Sequence, residues 1–192
     1  MKMTIRLITA IALLAGFTAM QPLQAQISYG IKGGLNIANI GGADAPDSDP
    51  LTGFHVGGFL GISFLGIVAA EGGVYYSQKG YVVAIEDGPK HVYNYIDIPV
   101  VLKFSPLPLF HFYAGPQASL FLNGSIKSSD NEIELKSDDF TSPDFAIVLG
   151  AGVNVPGGLR LSVGYDLGVT PINVEEKKVY NRVLKLTIGY KF

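Results

Sequence analysis

Apolar residues recur at every second position over most of this chain, the period of a strand whose two faces differ. From Leu159 to Thr170, one face reads Leu159, Leu161, Val163, Tyr165, Leu167 and Val169. The other reads Arg160, Ser162, Gly164, Asp166, Gly168 and Thr170. At the C-terminus Leu184, Leu186, Ile188, Tyr190 and Phe192 alternate with Lys185, Thr187, Gly189 and Lys191. The three- and four-residue spacing of an amphipathic helix is missing from these segments. The pattern predicts eight strands, at roughly 27–38, 53–63, 67–80, 92–104, 110–123, 144–155, 159–170 and 181–192. Lengths of about 9–14 residues suit tilted strands that cross a hydrocarbon layer.

The connections alternate in length. Those near 64–66, 105–109 and 156–158 are tight and rich in Pro or Gly, as turns require. Those near 39–52, 81–91, 124–143 and 171–180 are long and polar. Of the 16 acidic residues, twelve fall in these long loops, against five lysines. The strands instead carry an excess of basic residues. Short turns at one end and long loops at the other predict an up-and-down transmembrane barrel with acidic loops outside the cell.

Alternation alone does not say which face is outside, since a soluble lipocalin-like barrel would bury the apolar one. Here the polar face is crowded with Gly, Ser, Thr and Asn. The apolar face continues from strand to strand and is bounded near the turns by Phe64, Phe104, Phe110, Phe112, Tyr190 and Phe192. Such aromatic girdles mark a membrane–water interface. An open sheet edge in hydrocarbon would leave backbone groups unpaired, so the sheet must close. Pro99 and Pro116 each remove a ladder donor from a predicted strand, and bulges are expected there.

The N-terminus reads as a targeting segment. Lys2 and Arg6 precede the mostly apolar Leu7 to Met20, and Leu23-Gln24-Ala25 offers a cut before Gln26. This divides the chain into a signal peptide, 1–25, and a barrel domain, 26–192. The chain is 48% hydrophobic and only 16% charged, with 24 Gly and no Cys. Disulfides, a lipid-anchoring cysteine and thiolate metal sites are thereby excluded. No apolar run after residue 26 is long enough for a spanning helix.

Three stretches, YGIKGGLNIANIGG at 29–42, GGVYYSQKGY at 72–81 and YNYIDIPVVLKF at 93–104, resemble the outer-membrane β-barrel domain family of Bacteroidetes that includes the PorT-like proteins. With the signal segment and the final LKLTIGYKF, the resemblance covers essentially the whole chain. It implies a barrel in the outer membrane of a Gram-negative bacterium, reached after export to the periplasm. The terminal Phe192 looks like the signal by which such barrels are recognised by their assembly machinery.

An eight-stranded barrel has room inside for side chains and none for an aqueous channel. Lys32, Glu71, Asp97, Lys103, Arg160, Asp166 and Lys185 fall on the inward parity and are expected to form a structural ion-pair network. Of the three histidines, His111 is expected at the periplasmic rim, His55 and His91 near the outer rim. No nucleophile elbow or zinc-ligand pair accompanies them. The Asp44-Ala-Pro-Asp47-Ser-Asp49 stretch lacks the spacing of a Ca²⁺ loop. The expectation is a non-enzymatic barrel without cofactor or metal, held in outer-membrane lipid. It would act through structure or through a protein partner at its loops or turns, for example in a transport or secretion assembly. A narrow pore for ions or small solutes, and an outer-rim hydrolase or acyltransferase, are the alternatives. The net charge of −2 argues against nucleic acid.

Overall fold

The computed structural model describes residues 26–64, 66–128, 131–135, 142–172 and 177–192. The predicted signal segment and the loop charges Asp130, Lys136, Asp138, Asp139, Glu175 and Glu176 lie outside these residues. The chain forms β1 (Gln26–Gly41), β2 (Ser48–Phe64), β3 (Val68–Val83), β4 (Lys90–Phe104), β5 (Phe110–Lys127), β6 (Glu132–Leu135), β7 (Asp144–Asn154), β8 (Leu159–Gly168) and β9 (Tyr180–Lys191). Every pairing is antiparallel. β1 pairs with both β2 and β9, and β4 with β5, so eight strands close into a barrel. The short β6 pairs only with the loop end of β5, above β7, and was not foreseen in the polar stretch 124–143.

Exposure settles which face is outside. Ile31, Leu35, Val56, Leu60, Val74, Leu102, Leu149 and Ile188 are exposed, while Asn36, Ser77, Asp97, Ser119 and Asp166 are buried in the lumen. At the turn end Tyr29 packs on Phe192 at 5.7 Å, and Tyr190 on Phe192 at 5.4 Å, within the predicted girdle. Gly157 and Gly158, with φ of 89° and 94°, make the last tight turn, where a side chain would be strained.

β1 to β5 span 15 to 18 residues each, but β7 to β9 only 10 to 12. The outward apolar band ends on β3 between Tyr76 and Gln78, and on β4 between Ile96 and Asn94. There, half-buried amides and the exposed Asn123 replace it. Gln78 Nε2 donates to Asn94 Oδ1 (3.3 Å), and Asn94 Nδ2 to Asn123 Oδ1 (2.8 Å). The first five strands therefore continue past the band, drawing in residues expected to be loop. Backbone pairing holds this extension together, as between Ser48–Pro50 and Tyr81–Val83.

The expected bulges at Pro99 and Pro116 are absent. The β3–β4 ladder skips from Gly72–Val100 to Tyr75–Asp97, and the β4–β5 ladder from Pro99–Gln117 to Leu102–Ala114, with no change of register. A proline lacks one donor, and here the missing bond is a gap in the ladder with no residue inserted. The shifts fall instead between Pro50 and His55 and between Asn94 and Tyr95.

Candidate functional site

Period-two geometry makes each inward side chain a neighbour of inward side chains across the barrel, and the lumen collects nearly all the buried charge. The seven predicted residues lie in two clusters. Nearer the turn end, Lys32 donates to Glu71 Oε1, while Lys103 Nζ and Arg160 Nη1 each donate to Oε2 at 3.2 Å. The Phe59 ring lies beneath two of these cations, 4.7 Å from Lys32 Nζ and 5.3 Å from the Arg160 guanidinium.

Nearer the loop end, Asp97 is fully buried. Lys79 Nζ (2.7 Å) and Ser119 Oγ (2.7 Å) donate to its Oδ1, and Lys185 Nζ (3.0 Å) to its Oδ2. Lys185 also pairs with Asp166 at 2.6 Å, and Gln117 Nε2 donates to the same Asp166 oxygen at 3.1 Å. Lys79 is missing from the seven. It is 1% exposed, and its Nζ lies 4.7 Å from the centre of the Tyr95 ring. Its parity with Glu71 on β3 is the signal that could have found it.

Between the clusters is a cavity of about 70 Å³ bordered by His55, Tyr75 and Tyr113. Below the Glu71 cluster the lumen opens at the turn end into a vestibule of about 330 Å³. Above the Asp97 cluster it is closed by apolar packing of Ile40, Tyr93, Tyr95, Phe121, Ile172 and Val179. Tyr95 and Phe121 meet edge to face at 5.5 Å. Ile172 and Val179 come from the β8–β9 connection and are tied together by a backbone bond of 3.0 Å. Each is a single apolar residue at the edge of a polar run, so periodicity did not mark them as core.

His55 is not at the outer rim. It lies opposite Gly34 and Ser77, inside the barrel, with its ring nitrogens 2.8 Å from Asn36 Oδ1 and 3.1 Å from Thr187 Oγ1. His91 pairs with Tyr81, four positions beyond Ser77, a rise of about 13 Å. Its ring stacks on Tyr81 at 4.5 Å, beyond the apolar band, and burial there holds the imidazole below its ordinary value. The two histidines do not share a site. His111 is buried opposite Gly152, near the turn end. Among the described residues no three His, Asp or Glu side chains converge as metal ligands.

Replacing Glu71 by Gln is expected to destabilise the barrel by about 2–3 kcal/mol. This is less than the ~3–5 kcal/mol for breaking a fully buried pair, because Lys32 and Arg160 reach solvent. Lys103→Met should cost about 1 kcal/mol, since Glu71 keeps two cations. Urea unfolding followed by heat-modifiable gel mobility measures both. Unchanged midpoints in both variants would show that the cluster contributes nothing to stability.

A family model described as outer membrane protein beta-barrel domain matches residues 9–192. Among curated proteins none matches the chain. Neisserial surface protein A is similar in structure, with a TM-score of 0.61 and 16% identity, covering 87% of this chain and 99% of that one. Ail, the attachment invasion locus protein of Yersinia pestis, gives 0.54 and 12%, covering 86% and 98%. Ail in complex with the heparin analogue sucrose octasulfate gives 0.57 and 14%, covering 87% and 99%. At these identities the likeness is one of fold. In such barrels the short turns face the periplasm and the long loops the exterior. The chain lies in the outer membrane of a Gram-negative bacterium, and it belongs to the outer membrane protein β-barrel domain family.

Proposed function

We propose that this barrel is a non-enzymatic contact protein whose lumen is a structural core, and that its working surface is the part raised above the membrane. The closure of the loop end carries this reading. An apolar plug sits directly over the ion-paired Asp97 cluster, and ions would have to displace both. The raised surface bears Asp44, Asp47, Asp49, Glu86, Asp87, Glu132 and Glu134. Ail is described bound to a heparin analogue, a polyanion. The acidic rim here favours the opposite partner, a basic protein surface, such as a component of a transport or secretion assembly.

Three further parts of the reading rest on the sequence. Residues 1–25 are a signal peptide removed on export, Phe192 is the handle for the assembly machinery, and the motifs at 29–42, 72–81 and 93–104 resemble those of the PorT-like proteins of Bacteroidetes. The test of the filled lumen is electrical. Purified barrel in planar lipid bilayers is expected to give no steady conductance. A reproducible single-channel step would replace this reading with that of a narrow pore.

A further inference from the structure

The two charged clusters differ in a way that their common role as core does not explain. Around Asp97, two cations (Lys79 and Lys185) meet two carboxylates (Asp97 and Asp166), and a third carboxylate, Asp144, is buried opposite Ser119, so no cation is in excess there. At the periplasmic end cations are in excess. Lys103, Arg160 and Lys191 line the vestibule, and Lys32 reaches the same carboxylate from behind. Among the described residues Glu71 is the one side-chain carboxylate at this end; it pairs with Lys32, Lys103 and Arg160 and makes no ion pair with Lys191. The Phe192 ring sits on the lipid-facing side, against Tyr29 and Tyr190.

Excess charge inside a narrow barrel is felt strongly, because low-dielectric walls focus its field along the axis and concentrate counter-ions at the mouth. The cations also have donors to spare. Arg160 engages Glu71 through one Nη1 contact at 3.2 Å, and Lys103 through one at the same distance. A guanidinium has five N–H donors and an ammonium three. Ser63 and Ser105 add neutral donors around the same 330 Å³ space, while Ser28 Oγ and Asn154 Nδ2 already donate to the Gly61 and Pro108 carbonyls. Several cations, unused donors and an opening to water together match the requirements of charge-assisted hydrogen bonding to an oxyanion.

We propose that the periplasmic vestibule is a binding site for a soluble oxyanion, a phosphate- or carboxylate-bearing solute held by Arg160, Lys103 and Lys191. Glu71 occupies the inner end of the site as an internal competitor. It holds the cations in place when no ligand is bound and weakens the ligand when one is.

The probes are inorganic pyrophosphate and tricarballylate, titrated by calorimetry into the full barrel refolded in neutral detergent at low ionic strength. Sodium chloride at equal ionic strength is the control. Both probes are expected to bind, with Arg160→Gln and Lys103→Gln lowering affinity at least tenfold. Lys191→Gln should lower it several-fold, and its ammonium belongs to neither cluster, so this variant tests the site without disturbing the fold. Glu71→Gln is expected to bind more tightly than the parent and to regain stability on adding pyrophosphate. The proposal is overturned if heats match those of sodium chloride, if Arg160→Gln and Lys191→Gln keep the parent affinity, or if folded Glu71→Gln binds more weakly. Binding of pyrophosphate with none of tricarballylate would overturn the carboxylate half.

Discussion

Asp97→Asn is expected to lower the stability of the barrel by about 3–5 kcal/mol, the usual cost of removing one partner from a buried ion pair. Lys185 would keep Asp166 at 2.6 Å, so the damage falls on Lys79. That ammonium is 2% exposed, and Asp97 is the one carboxylate within ion-pair distance among the described residues, with Asp144 farther off opposite Ser119. Ser119 and the Tyr95 ring remain, and neither carries charge. The explanation has a direct check. If the orphaned ammonium is the cause, adding Lys79→Met should recover most of the loss, because a hydrophobic residue of similar volume is often neutral in place of a buried ion. Urea unfolding scored by the fast-migrating band gives both numbers. A single variant as stable as the parent, or a double variant no better than the single, would refute the account.

A second large effect is expected where the barrel closes on itself. Gly30 and Gly34 lie on the inward face of β1 against β9, at the seam joining the first strand to the last. A β-carbon on Gly34 would run into the Leu186 carbonyl oxygen and lie 2.9 Å from His55 Cε1. One on Gly30 would meet the Tyr190 carbonyl oxygen and lie 2.7 Å from the Phe59 ring. Overpacking of side chains typically costs about 1–3 kcal/mol. Here the obstacle is backbone of the partner strand, which cannot rotate aside, so Gly30→Val and Gly34→Val should reach or pass the top of that range. Both should lose much of the compact, fast-migrating form on refolding. Gly58→Ala is the matched control, since its nearest neighbour would be the Gly30 carbonyl oxygen at 3.6 Å on the lipid side. Equal refolding yields for all three would mean that the seam tolerates a shift the backbone geometry does not suggest.

The barrel was legible because its signal is local. Each alternation from Leu159 to Thr170 or from Leu184 to Phe192 encodes one strand by itself, and the lengths of the connections encode the order. The lumen was less legible because it depends on which strands face each other. Parity puts Glu71 and Asp97 inside, yet only the registers place Arg160 beside one and Lys185 beside the other. Lys79 shares Glu71's parity, yet only the pairing of β3 with β4 brings it to Asp97. The plug was hidden for another reason. Ile172 and Val179 stand at either end of a polar stretch, and nothing in a one-dimensional pattern says that a loop folds back over the barrel mouth. His55 was misplaced because β2 continues well beyond its apolar band, so its distance from the loop was underestimated.

The unequal strand lengths give the molecule a front and a back as seen from outside the cell. Over β3 and β4 the sheet continues from Gln78 to Val83 and returns from Lys90, a wall of about 13 Å after allowing for tilt. On the far side β8 stops at Gly168, while β9 runs on to Tyr180 opposite Gly41 at the end of β1, and Ile172 and Val179 lie on the connection between them. Among the described residues the apolar stopper thus stands behind a parapet of strand on one side of the mouth, not in a rim of even height.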